Sequence, residues 1–241
     1  MFNKKIPGEV HPDFKKKEIM IKESGEKLMN VKDYKSQRII EEPMYSHLNI
    51  TGALSHCYLR ESVLDLLEKA AQKLPSGYQF VIWDGFRPYH VQKAIYDQFF
   101  EQIKRENPHA SKKEWSEKTE NFVSWPSIDK NAPAPHTTGG AVDLTIINEF
   151  GEYLDFGTEF DDFSEMANTA YFEKKATIQK LTLREQNILE NRRLLYHSLI
   201  EVGFSNYHQE WWHFDYGNPW WAQNKEQSTA IYGVADLEGE A

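Results

Sequence analysis

A single cysteine, Cys57, stands in 241 residues. That excludes an internal disulfide and means that any transition-metal site must rest on histidine and carboxylates. Long apolar runs are also missing. No stretch approaches the roughly 18 residues of a membrane span, and "MFNKKIPGEVHPDFKKK" has the lysines of a leader without its apolar run of about 7–15 residues, so no membrane partner and a cytoplasmic location are expected. Positive charge is scarce: 28 basic against 37 acidic residues leave a net charge of −9. The lysines in "FKKKEIMIKESGEK" alternate with glutamates, which reads as a solvated face. With no basic stripe to neutralise phosphates, nucleic acid is excluded as a partner. No glycine-rich loop opens a helix, G-x-S-x-G is absent, and no coiled-coil heptad marks an assembly element, so the oligomeric state stays open.

Apolar residues make up 40 % of the chain and aromatics 14 %, with seven Trp. This is enough to build a core. The length predicts one domain over 1–241, with an N-terminal wrapping segment 1–40, an insertion 105–135 and a C-terminal tail 222–241. In "YLRESVLDLLEKAAQKLPSG", Leu59, Val63, Leu66, Leu67, Ala70 and Leu74 recur at helical spacing before a Pro-Ser-Gly breaker. "YQFVIW" (78–83) reads as a buried strand, and a second helix carries Val91, Ala94, Ile95 and Phe99. Thr182 and Glu185 form a capping-box pattern ahead of a third helix. In "AVDLTII", Val142, Leu144 and Ile146 alternate with Ala141, Asp143 and Thr145. "NEFGEYLDFG" predicts a hairpin return, and "EWWHFDYG" a final strand. The expected fold is α+β, a mostly antiparallel central sheet with flanking helices and a cleft over the sheet.

Asp143 therefore faces away from the apolar side, and His136 lies seven residues before it. Imidazole and carboxylate suit Zn²⁺, whose catalytic sites keep three protein ligands and one open position. His213 in "EWWHFDYG" is the third candidate, and Glu210, three residues earlier, is a candidate general base. A regular strand would send Glu210 and His213 to opposite faces, which predicts a bulge or turn at Glu210–Trp212. Arg87 in "DGFRP" has two readings, an oxyanion-stabilising guanidinium or an ion pair with Asp84. His47, His56, His90, His109, His197 and His208 lack a carboxylate at metal spacing, although His208 is close enough to Glu210 to line a pocket. One of Trp211 and Trp212 is expected in the core and the other on the site wall, with Trp220 and Trp221 packing beyond it. Cys57 reads as an inert thiol.

Together "DGFRP", "HTTGGAVDLTI", "FGTEFD" and "GFSNYHQEWWHF", with "YSHLNITGALSHCYL" upstream, resemble the zinc D-alanyl-D-alanine dipeptidases from about residue 40 to 216. The resemblance implies one Zn²⁺ per chain on His136, Asp143 and His213, Glu210 as base and Arg87 as the transition-state arginine. It further implies Asp161 as the carboxylate that holds a dipeptide's ammonium, with Asp162 as its rival. The implied activity is hydrolysis of D-Ala-D-Ala or a similar D,D-dipeptide to free amino acids. A murein D,D- or L,D-carboxypeptidase or endopeptidase on the same zinc core is the alternative among enzymes; outside them stands a non-catalytic zinc-stabilised binding module. One departure is Ala134, where the family pattern has a serine. Losing that hydroxyl removes a hydrogen bond worth about 0.5–1.5 kcal/mol.

Overall fold

The computed structural model describes residues 4–8, 19–120, 123, 125–127, 129–162 and 164–237. The lysines at 15–17 lie outside them. In chain order come β1 (Met20–Ile21), β2 (Leu28–Asn30), β3 (Ile39–Glu41), α1 (Met44–His47), β4 (Tyr58–Arg60) and α2 (Glu61–Ala71). Next are β5 (Gln79–Asp84), α3 (Tyr89–Glu106), α4 (Lys112–Glu120) and β6 (Ala141–Ile147). The chain continues through α5 (Tyr171–Ile178), α6 (Leu183–Ile200), β7 (Ser205–Asn206), β8 (His213–Asp215), α7 (Pro219–Asn224) and β9 (Thr229–Ala230).

The fold is α+β. Its largest sheet has the order β3-β5-β6-β8-β7. β5, β6, β8 and β7 pair antiparallel, but β3 joins β5 in parallel, so the sheet is mixed rather than antiparallel throughout. A parallel neighbour needs a long crossover, and α2 lies in the one between β3 and β5. The first helix also begins later than its apolar spacing predicts. Leu59, read as part of that helix, belongs to β4, which pairs with β2. "EWWHFDYG" shortens likewise, with only His213–Asp215 in a strand.

One face of β6 presents Val142, Leu144 and Ile146 to a core shared with Leu64 and Leu67 of α2 and Leu195 and Leu199 of α6. The opposite face is also buried, and Asp143 sits on it. The hairpin after β6 forms, with Gly151 N–H donating to Asn148 O and a bridge between Ile147 and Tyr153. Residues at the two ends of the chain meet: β9 pairs in parallel with β1, and Tyr232 is fully buried. Among the described residues no helix is long and apolar enough to cross a membrane.

The capping box of α6 is complete. Thr182 Oγ1 accepts from Glu185 N at 3.3 Å, and Glu185 Oε2 accepts from Thr182 N at 2.8 Å. Thr182→Ala is expected to cost about 1 kcal/mol, seen as a fall in melting temperature of about 2–4 °C. An unchanged melt would show that α6 is held by packing alone.

Candidate active site

The sequence between His136 and Asp143 is a device for turning a corner. His136 lies in a 3-10 turn, Pro135–Thr138, which ends at Gly139 with φ +69°. Only glycine takes that conformation cheaply. At Gly140 a β-carbon would lie 2.4 Å from Tyr216 O, so this glycine lets the chain enter the sheet beside β8. The imidazole is then fixed by Nδ1, 2.8 Å from Gly85 O and 3.2 Å from Asp84 Oδ2.

Asp143 and His213 are direct partners across β6 and β8, so their side chains emerge side by side. Asp84 joins them through an irregularity. The β5–β6 register shifts between Ile82 and Asp84, leaving Asp84 opposite Asp143. Without the shift, Asp84 would share the core face of Phe80 and Ile82; the bulge carries it to the side of Asp143, against Arg87 and His136.

The donor atoms converge. His136 Nε2 is 3.2 Å from His213 Nδ1 and 3.4 Å from Asp143 Oδ2, and His213 Nδ1 is 2.9 Å from Asp143 Oδ1. A tetrahedral ion with bonds of about 2.05 Å sets its donors about 3.3 Å apart. Two imidazoles and a carboxylate at this spacing fit such an ion, and all three residues are buried. Behind them, His213 Nε2 is 3.3 Å from Asp215 Oδ1, close enough for an ion pair but not aligned for a hydrogen bond. Asn218 Nδ2 donates to that same oxygen at 2.6 Å. Such outer partners set the orientation of a metal-binding ring. Against the opposing effect of burial, His136 and His213 hold Asp143 well below the usual carboxylate range. Burial likewise opposes, but Asp215 and Asp143 hold His213 well above the ordinary imidazole value.

Glu210 reaches the same space through the irregularity expected at Glu210–Trp212. Its N–H donates to Tyr207 O at 3.0 Å and its carbonyl accepts from His213 N at 3.3 Å, a turn rather than a strand. Glu210 Oε2 comes within 3.8 Å of His213 Nδ1. Burial, aided by Asp143 and Asp161, pushes its carboxyl up to about 8 against the pull of His213 and Arg87.

Arg87 makes the ion pair with Asp84 and also lines the cleft. Its Nη2 is 2.7 Å from Asp84 Oδ2, and the same nitrogen lies 3.6 Å from Asp143 Oδ2. Gln92 Oε1 accepts from Nη1 at 2.7 Å and Tyr45 OH from Nη2 at 3.2 Å, so the guanidinium is immobilised at the cleft wall. Tyr45 also donates to Asp161 Oδ2 at 3.1 Å. Asp161 lines the cleft, whereas Asp162 accepts from Ser164 N at 2.7 Å in a local turn. Burial and then Asp143 push Asp161 up to about 7 against Arg87 and the Tyr45 hydroxyl.

The cleft spans about 550 Å³, part of it open to solvent. Its aromatic wall differs from expectation. Trp211 and Trp212 are both buried in the core, because the turn removes the strand alternation that would have exposed one of them. Trp220 lines the cleft instead, with Tyr207. His208 faces a separate hollow beside Ile6 and Asn206. His56 does have a carboxylate, Glu41 Oε1 at 2.6 Å from Nδ1, but no third ligand joins the pair among the described residues. Cys57 is buried, and burial pushes its thiol well up. Val123 and Ala134, from the segment read as an insertion, form the apolar side of the cleft. Tyr45, at the head of "YSHLNITGALSHCYL", and Asp215, within "EWWHFDYG", receive no role from the sequence, and Gln92 lies in no motif.

A D-alanyl-D-alanine dipeptidase of Synechocystis sp. is 28 % identical over 180 residues, covering 70 % of this chain and 73 % of that protein. The Escherichia coli K12 protein of the same name is 27 % identical over 172 residues, covering 69 % and 72 %. A solved structure of the vancomycin resistance D,D-pentapeptidase VanY in complex with Zn(II) overlaps 73 % of this chain and 83 % of its own at 16 % identity, with a TM-score of 0.42. That overlap is too shallow to bear on the chemistry. The family model described as D-ala-D-ala dipeptidase, Peptidase_M15, matches residues 46–229, and the chain belongs to that family.

Proposed function

We propose that this protein hydrolyses D-Ala-D-Ala or a close D,D-dipeptide, using one zinc ion held by His136, Asp143 and His213. The reading is carried by one observation: donor atoms of the three buried residues lie within 4.8 Å of one another, with the Glu210 carboxylate 3.8 Å from His213 Nδ1. The dipeptidase relatives supply the substrate class. Residues 1–241 are read as one catalytic domain, supported by the pairing of β1 with β9.

Zinc bound there would polarise a carbonyl and lower the pKa of water. The chain's own residues do the rest. Glu210 takes a proton from the attacking water as its oxygen bonds to the carbonyl carbon, then passes that proton to the departing amine as the C–N bond breaks. Arg87, held by Asp84 and Gln92, offers fixed N–H groups to the developing oxyanion. Asp161 receives the substrate ammonium beside Tyr45. Ala134 lines the cleft with a methyl, so the substrate forgoes the hydrogen bond that a serine there could make.

A substrate-length series tests the reading. D-Ala-D-Ala should be cut at least tenfold faster, by kcat/KM, than peptides ending in D-Ala-D-Ala whose amino group is acylated, because Asp161 then faces a neutral amide rather than a charge. Equal rates on the longer peptides would favour a carboxypeptidase.

The charges also predict a pH response. Glu210 and Asp161, raised to about 8 and about 7, keep protons that the unfolded chain loses from about pH 4 upward. His213, raised above 6.5, does the same at higher pH. The native state then binds more protons than the unfolded one, so metal-free stability falls as pH rises from about 4.5 to 8. Zinc needs deprotonated ligands and displaces protons as it binds. Thermal melts should therefore decline with pH for metal-free protein and flatten when zinc is present. A metal-free melt that rises over this range would contradict the assignment.

A further inference from the structure

Asp161 stands on a long connection between β6 and α5, at φ +56°, a backbone conformation unusual for a side chain that must be held in place. A buried guanidinium lies against the same connection. Arg192 of α6 is 1 % exposed. Its Nε and Nη2 donate to Phe156 O at 2.9 and 2.7 Å, Nη2 also to Met166 O at 2.7 Å, and Nη1 to Asn168 O at 2.6 Å. One guanidinium thus ties together both feet of the connection. No carboxylate lies within ion-pair distance of it among the described residues; these carbonyls hold the charge, with the Phe172 and Trp211 rings 5.1 and 5.9 Å from the guanidinium carbon. A buried charge is retained at a cost unless its hydrogen bonds are well made. The neighbouring Asn191 adds a bond from Nδ2 to Asp155 O at 2.9 Å. Between the feet, Phe160 packs against Tyr45 at 5.7 Å, Trp83 at 5.1 Å and Trp212 at 5.7 Å, with Asp161 the next residue.

We propose that Arg192, seconded by Asn191, is a positioning residue that sets the placement of Asp161 and through it the selection of substrates with a free ammonium. The proposal rests on the reading of Asp161 as the ammonium acceptor. Lysine cannot replace the clamp, because a point charge with three rotatable donors does not span three carbonyls as a planar fork does.

The test compares zinc-loaded wild type, Asp161→Asn, Arg192→Lys and the double variant on D-Ala-D-Ala and on propionyl-D-alanine, which lacks the ammonium. Asp161→Asn should reduce the preference for D-Ala-D-Ala by about 10–100-fold. Arg192→Lys should raise KM for D-Ala-D-Ala about tenfold with kcat within about threefold, leave KM for propionyl-D-alanine unchanged, and add nothing further in the double variant. If Arg192→Lys does not fold, Asn191→Ala should give the same KM-selective loss at about threefold. If Asp161→Asn leaves the preference intact, the ammonium reading fails and the clamp with it. If Asp161→Asn abolishes the preference but the α6 variant lowers kcat alike on both substrates, or the losses add, the clamp alone is overturned.

Discussion

Glu210→Gln should lower kcat on D-Ala-D-Ala by about 10²–10⁴-fold while zinc content stays at one per chain and KM changes little. The substitution is nearly isosteric, so the turn at Tyr207–Glu210, made by backbone bonds, has no reason to move. What disappears is proton acceptance. Glu210 is not among the three converging donors, which predicts that metal loading survives. Glutamine also cannot acquire the charge that burial disfavours at this position, so stability should hold or rise. Stopped or steady-state kinetics beside metal analysis checks this. A variant with more than a tenth of wild-type kcat would place the proton-transfer role elsewhere.

His213→Ala should have an effect of a different kind. It removes one of three donors and leaves Asp143 and His136 as a pair 3.4 Å apart. Stoichiometric zinc should be lost, and activity with it, to below the level of Glu210→Gln. Asp215→Asn supplies the graded comparison: Asp215 touches the far nitrogen of His213, and disturbing such a partner weakens metal affinity by about 10–100-fold. Zinc competition with a chelator of known affinity separates the two. Equal affinities in His213→Ala and wild type would show that the three donors do not form the site.

The residues that could be read from the chain are those whose signal is local. Period-two alternation put Asp143 opposite Val142 and Leu144, and helical spacing with a Thr182 cap located α6, because these depend on neighbours within a few positions. The turn at Glu210 followed from requiring it to share a cleft with His213. Less was legible where tertiary structure decides. The bulge that turns Asp84 toward Arg87 and His136 leaves no mark in "VIWDGF". Tyr45 and Gln92 converge on Arg87 from α1 and α3, 42 and 5 residues away in sequence, which no motif records. A regular strand would put Trp211 or Trp212 on the wall; the chain turns there instead, both enter the core and Trp220 takes the position. The parallel pairing of β3 depends on where α2 crosses, a choice of packing rather than of local propensity.

The central claim is that zinc on His136, Asp143 and His213 makes this protein a D,D-dipeptidase. Its most direct test is release of free D-alanine from D-Ala-D-Ala as the metal-free protein is titrated with zinc. Activity should be absent without metal and rise to a plateau at one zinc per chain. Full zinc loading with no release from any D,D- or L,D-dipeptide would contradict it.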